Sequence, residues 1–219
     1  MDEEYVISLI ESQAEESLNF ECKVGFAWDS KQSSMGWVQA QAIQAILGFT
    51  NTEGGGLLLL GVKDDGKGNR DFTGLTPEML QSYSNTEAIQ ECIDKFADGQ
   101  MSYSIKQVKH VNDGVDKTYI AIAVSEFKES PVLSTRDVSI KKPNGKEEFI
   151  MRERDLYARS RKGRFATVKA TSLELKETIR LAHTKDEERL LQLLSSVNDV
   201  QRANSPNQTS PYSEMDKDL

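Results

Sequence analysis

The stretch that most constrains this chain runs from Glu16 to Asp65: ESLNFECK, a segment with helical spacing, then FTNTEGGGLLLLGVKDD. Gly54, Gly55 and Gly56 feed a continuous apolar run of strand length, so the chain must turn tightly there and enter a buried strand. Asp64 stands at the exit of that strand, Glu21 in a short strand (FECKV), and Glu16 where a first helix should end. Side chains leaving different elements near their ends can converge. Three converging carboxylates make a hard-oxygen site for Mg²⁺ or Mn²⁺, able to activate water against a phosphodiester. Acidic residues at strand ends are as a rule merely solvated, and the chain has 35 acids, so residue chemistry alone leaves both readings open.

Around that stretch the spacing predicts helices and strands in alternation. Residues 2–16 carry Val6, Leu9 and Ile10 as a narrow apolar stripe with acids in the first turn, a helix signature. Ser33 or Ser34 can cap a second helix over 35–50, whose Val38, Ala42, Ala45, Ile46 and Phe49 recur at helical spacing. Thr76-Pro77 opens another helix, and 86–97 continues helically to Gly99. Met101–Val111 and Lys117–Glu126 read as a hairpin. Ile120, Ile122 and Val124 share one face and Tyr119, Ala121 and Ala123 the other, which predicts a central strand. Lys142-Pro143-Asn144-Gly145 is a turn. Thr171 with Glu174, and Thr184 with Glu187, predict two capped helices, the second with Leu190, Leu193, Leu194 and Val197 as its stripe. Past Val200 the polar, Ser/Asn/Pro-rich composition predicts a disordered tail.

The glycines suffice as a turn, with a phosphate-cradling loop as the functional alternative. Gly61–Gly68 matches most of a P-loop, but Gly68 stands where Ser or Thr should bind Mg²⁺ and two aspartates would fill the cradle, which leaves nucleotide binding the weakest reading.

Charge narrows the partners. The formal net charge is −8, yet Arg136 to Lys169 holds 11 bases against 5 acids, a basic band between acid-rich ends. Within LYARSRKGRFATVKA, Tyr157 and Arg159 share a face if 156–160 is a strand, and Arg161, Lys162 and Arg164 crowd the following loop. Arginine grips phosphate bidentately and Tyr157 or Phe165 offers a stacking ring, whereas a solvated loop is the plainer account. Lys23, two residues past Glu21, is placed to neutralise phosphate. Two cysteines, Cys22 and Cys92, without a CxxC pair, read as reduced thiols of a cytoplasmic protein. No apolar stretch is long enough to span a membrane, and MDEEYV is unlike a signal peptide.

ESLNFECK, then GFTNTEGGGLLLLGVKDDGKG, then LYARSRKGRFATVKA together resemble the Schlafen/AlbA-like domain, over about Glu11 to Ala170. That family shows an E-S-x-x-x-E-[FC]-K opening, an F-x-N-T-x-G-G segment leading into a strand ending G-V-x-D, and a late Y-x-R strand. The resemblance implies that Glu16, Glu21 and Asp64 are the catalytic and metal-holding carboxylates of a ribonuclease site. It also implies domains that pair around a basic groove, hence a homodimer.

The expected fold is α+β, a mixed sheet of about five or six strands with packed helices. It occupies 1–170 and is followed by a helical extension over 171–199 and a tail over 200–219. The expected function is nucleic-acid binding with divalent-metal-dependent (Mg²⁺ or Mn²⁺) endoribonuclease action on structured, tRNA-like RNA. The alternative is a non-catalytic DNA- or RNA-binding regulatory or defence module. Lys23, Tyr157, Arg159, Arg161, Lys162 and Arg164 are the expected nucleic-acid contacts.

Overall fold

The structure, a computed structural model, describes residues 2–29, 35–64, 69–112, 114–141, 147–162 and 165–204. The chain divides into two compact units, 1–182 and 183–219.

The first unit is built around a four-stranded sheet of order β1-β2-β6-β5, with β1 Phe20–Lys23, β2 Gly56–Leu60, β5 Tyr103–Asn112 and β6 Val115–Val124. β1 runs parallel to β2 (Phe20↔Leu57 to Lys23↔Leu60), while β2–β6 and β5–β6 are antiparallel. The sheet is therefore mixed, and β6 is central as its two apolar faces predict. Leu58, Leu60, Ile120, Ile122 and Val124 pack toward helix α2 (Trp37–Thr50). Phe20, Cys22, Leu57, Leu59, Tyr119 and Ala121 pack with Val6 and Ile10 of helix α1 (Glu3–Glu11).

Helix α1 starts where Asp2 accepts a hydrogen bond from the Glu4 amide, and it ends at Glu11 rather than near residue 16. Gln13 there takes a left-handed φ of 49°, and the Ala14 amide folds back to the Leu9 carbonyl. Helix α2 is buried almost all round, as an interior helix must be apolar on every side. Its small residues are the reason it can be enclosed: a Cβ on Gly48 would lie 2.5 Å from Thr167 Cγ2. What encloses it opposite the sheet is a pair of short ladders, β7 Val138–Lys141 with β8 Glu147–Met151, and β9 Tyr157–Arg159 with β10 Thr167–Lys169. The expectation of five or six strands in one sheet is corrected accordingly. Four strands form it, and the later ones cross to the far face of α2, where Tyr157 and Ala158 are buried.

A third ladder, β3 Lys63–Asp64 with β4 Arg70–Asp71, extends from the exit of β2. Helices α3 (Pro77–Ser82) and α4 (Thr86–Asp94) are capped by Thr76 and Asn85, with proline in the first turn of α3. Helix α5 runs Ser172–Asn204 without the break expected at Thr184. Its start is the predicted capping box, the Thr171 amide donating to Glu174 Oε2 at 3.0 Å. In the second unit the described residues are this helix, with Leu190, Leu191, Leu193 and Leu194 exposed by 55 to 67 %. Helix α5 reaches Asn204, past the 200 at which the tail is expected, and the N-cap of α2 is Gly36 with no side-chain cap; 205–219, the turn at 142–145, Ser33 and Ser34 lie outside the described residues.

Candidate functional site

The open edge of β1 organises the site. Asn19 and Lys23 turn their carbonyls to β2, so the Cys22 amide points outward with no strand to receive it. Glu16 supplies the missing acceptor: its Oε1 takes the Cys22 N–H at 3.0 Å. Glu21 sits on the other set of the pleat, 5 % exposed. Its Oε2 is held by Arg159 Nη1, and its Oε1 lies 2.5 Å from Lys23 Nζ.

Arg159 is 1 % exposed, and all of its nitrogens are used inside the protein. Nε donates to the Leu18 carbonyl at 3.2 Å, Nη2 to the Ser17 carbonyl at 3.0 Å, and Nη1 also to Thr167 Oγ1 at 3.2 Å. The guanidinium centre lies 4.8 Å above the Phe49 ring. Burial pulls its pKa down and the neighbouring Glu21 and Glu16 push it back up. Arg159 thus binds β9 and the far side of α2 to the edge of β1, through a buried pair that neither partner can leave cheaply.

Asp64 lies on β3, its carboxylate 37 % exposed and 3.7 Å from Arg70 Nε across the β3–β4 ladder. Arg70 Nη1 also donates to the Ala14 carbonyl at 2.8 Å, tying that ladder to the end of α1. A concavity of about 470 Å³ opens here, lined by Glu16, Cys22, Lys23, Val24, Val62, Lys63 and Asp64. Two lysines and two carboxylates share its wall. The Cys22 thiol at its floor is pushed up to about 12, by burial first and by Glu16 next, so it stays a neutral thiol and no nucleophile.

The three expected carboxylates are therefore divided. Glu16 and Asp64 line the groove, while Glu21 lies behind Lys23, facing Arg159. Among the described residues no group of three His, Cys, Asp or Glu is arranged to hold a metal ion. With both oxygens of Glu21 paired to cations, away from Glu16 and Asp64, the three carboxylates do not converge on one point as a shared three-carboxylate ion site needs, which leaves Glu16 and Asp64 as the acids of the groove.

The basic band is divided as well. Tyr157 is buried, its hydroxyl accepting the Arg152 amide at 2.9 Å, so its ring is no surface platform. Arg161 is exposed and lies 3.4 Å from Glu177; Lys162 is exposed. Arg164 lies outside the described residues. The glycine segment is structural too. Asn51 Nδ2 donates to the Val132 and Tyr157 carbonyls at 2.7 and 2.9 Å, and the Gly54 amide donates to Glu126 Oε2 at 2.6 Å. Gly55 has φ of 64°, and a Cβ there would lie 2.1 Å from the Val124 carbonyl oxygen. The donors a phosphate would need are spent on the protein's own acceptors, so the cradle reading is set aside.

Lys63, which lines the groove, and Arg70, which lies against Asp64, are residues that sequence reasoning missed. A signal existed: Asp64-Asp65-Gly66-Lys67-Gly68-Asn69-Arg70 has hairpin turn chemistry, and such a turn sets Arg70 opposite Asp64.

Comparison with known proteins adds the following. The family model described as Schlafen, AlbA_2 matches residues 16–157. No curated protein matches. Among solved structures, the crystal structure of the DIP2311 protein from Corynebacterium diphtheriae is similar at 15 % identity with a TM-score of 0.42. The match covers 80 % of this chain and 28 % of that one, so this chain spans less than a third of that protein's length.

Proposed function

We propose, from the premise that the chain belongs to the Schlafen, AlbA_2 family, that it engages the sugar-phosphate backbone of nucleic acid, RNA in preference to DNA, along the groove beside β1. The observation that carries this reading is the lining of the groove: Lys23 and Lys63 on one concave wall, built from the same β1 and β2–β3 segments that carry the family motif. Lysine offers phosphate a mobile point charge, and such contacts set position and affinity without reading sequence. Arg161 and Lys162, exposed on the loop after β9, offer two further cationic side chains, Arg161 beside Glu177. Arg159 and Tyr157 contribute by holding the strands that present these cations.

Glu16 and Asp64 in the same groove favour a second reading, endoribonuclease action on tRNA-like RNA with Mg²⁺ or Mn²⁺. One assay separates the two: total tRNA incubated with Mn²⁺ and the wild-type protein, beside a Glu16→Gln/Asp64→Asn double variant and an EDTA control. Binding without cleavage in all samples supports the binding module. Discrete cleavage lost in both controls establishes the nuclease, and an absence of binding and cleavage alike removes both. A homodimer belongs to the same proposal; sedimentation of the free protein as a monomer would strike it out.

A further inference from the structure

Among the described residues of the basic band from Arg136 to Lys169, the aromatic ring most open to solvent is not one that its sequence pattern suggests, Tyr157 being buried and Phe165 half-buried. Phe149 on β8 is 40 % exposed, and the Arg152 guanidinium centre lies 4.0 Å over its ring. Among the described residues the other aromatic exposed to this degree is Tyr5, on helix α1, whose residues 2–11 hold acids and no base, whereas Phe149 has Arg152 and Arg154 among its neighbouring acids.

We infer that the stacked Phe149–Arg152 pair is a platform for an unpaired base of single-stranded nucleic acid, a contact separate from the phosphate groove and resting on the reading of this chain as a nucleic-acid binder. An aromatic face and an arginine plane are the two surfaces on which splayed bases stack, and each serves any base because every base has a π-face. The cation lends attraction toward the electron-rich base as well.

The pair is exposed yet held. Ile150 and Met151, next along β8, are buried and anchor the strand. The Arg152 amide donates to the buried Tyr157 hydroxyl at 2.9 Å, and the Glu153 amide to Asp137 Oδ1 at 2.7 Å. The Arg154 amide donates to the Ser134 carbonyl at 2.6 Å, with Arg154 in a left-handed turn at φ of 63°. A platform fixed in this way loses little freedom when a ligand arrives. Of the nearby acids Glu147, Glu148 and Glu153, Glu147 accepts from Ser139 Oγ, and Glu153 lies 3.7 Å from Arg154 Nε.

The test is fluorescence anisotropy with a short labelled oligoadenylate, run in parallel with heparin as a polyanion without bases. Phe149→Leu keeps apolar volume but has no π-face, Phe149→Trp keeps the face, and Arg152→Lys keeps the charge but not the plane. The expected result is about tenfold weaker oligoadenylate binding for Phe149→Leu, a smaller loss for Arg152→Lys, binding retained in Phe149→Trp, and heparin affinity unchanged throughout. Wild-type binding that Phe149→Leu leaves intact overturns the platform and spares the nucleic-acid reading. Equal loss of heparin and oligoadenylate in Phe149→Leu overturns it as a loss of fold or charge. Failure of the wild type to bind the oligonucleotide at all overturns both.

Discussion

Removing the Glu21 carboxylate would leave the Arg159 guanidinium buried among Phe49, Thr167 and the β1 edge with its principal counter-charge gone. Uncompensated buried charge is costly, so Glu21→Ala should lower unfolding free energy by about 3–5 kcal/mol in a denaturant titration. Asp64→Ala, at an exposed carboxylate, should cost about 1 kcal/mol or less. Equal and small effects at both positions would contradict the structural role given to Glu21. The same contrast marks how far single residues were legible. Glu16, Glu21 and Asp64 stand out as charged positions framing a turn and a strand. Their division between groove and interior depends on Arg159, which is 138 residues from Glu21 in the chain and meets it only after β9 has folded over α2. Pairings of that range leave no local pattern.

At the scale of elements, the start of α5 is fixed by one carboxylate. Glu174 is buried, accepts from the Thr171 amide and hydroxyl and from Ser160 Oγ, and has its pKa lowered to about 2, the Thr171 bond first among the causes and Ser160 next. A folded-state pKa below the unfolded value stabilises above about 4.5 and is lost as pH falls toward 2. Glu174→Gln should therefore be less stable than wild type at neutral pH, with the difference closing across that window in melts taken at successive pH values. A gap that persists at pH 2 would count against the capping account. The turn before β2 gives a second case. Gly55→Ala, with positive φ and a carbonyl oxygen in the way of a Cβ, should destabilise by about 2 kcal/mol or more, read from the denaturation midpoint. The box was legible because Thr171 and Glu174 lie three residues apart, and the turn because the glycine run itself marks it, whereas the Val124 carbonyl that closes on Gly55 was not legible. The end of α1 and the continuity of α5 were not. The first depends on a backbone reversal at Gln13. The second passes through Thr184, whose capping chemistry a helix tolerates internally.

For the whole molecule, the mixed α+β architecture and the central position of β6 follow from period-two apolar faces that any reader of the chain can mark. The assignment of β7 to β10 to a separate layer does not, because short strands beyond a buried helix look like further strands of the same sheet. Function follows the same division. Family motifs point to β1 and β2 as the candidate site, whereas the balance of charge inside the groove came only with the fold. With a formal net charge of −8, the proposed binding of a polyanion requires local rather than global attraction, and the affinity should fall linearly with log salt concentration. The most direct measurement is the salt dependence of tRNA binding by wild type and Lys63→Gln, a change at an exposed groove residue. The account predicts salt-sensitive wild-type binding that survives EDTA, and a Lys63→Gln protein that binds more weakly with its slope reduced by about one. A Lys63→Gln protein with unchanged affinity and slope, or a wild type that binds no tRNA at low salt, would contradict it.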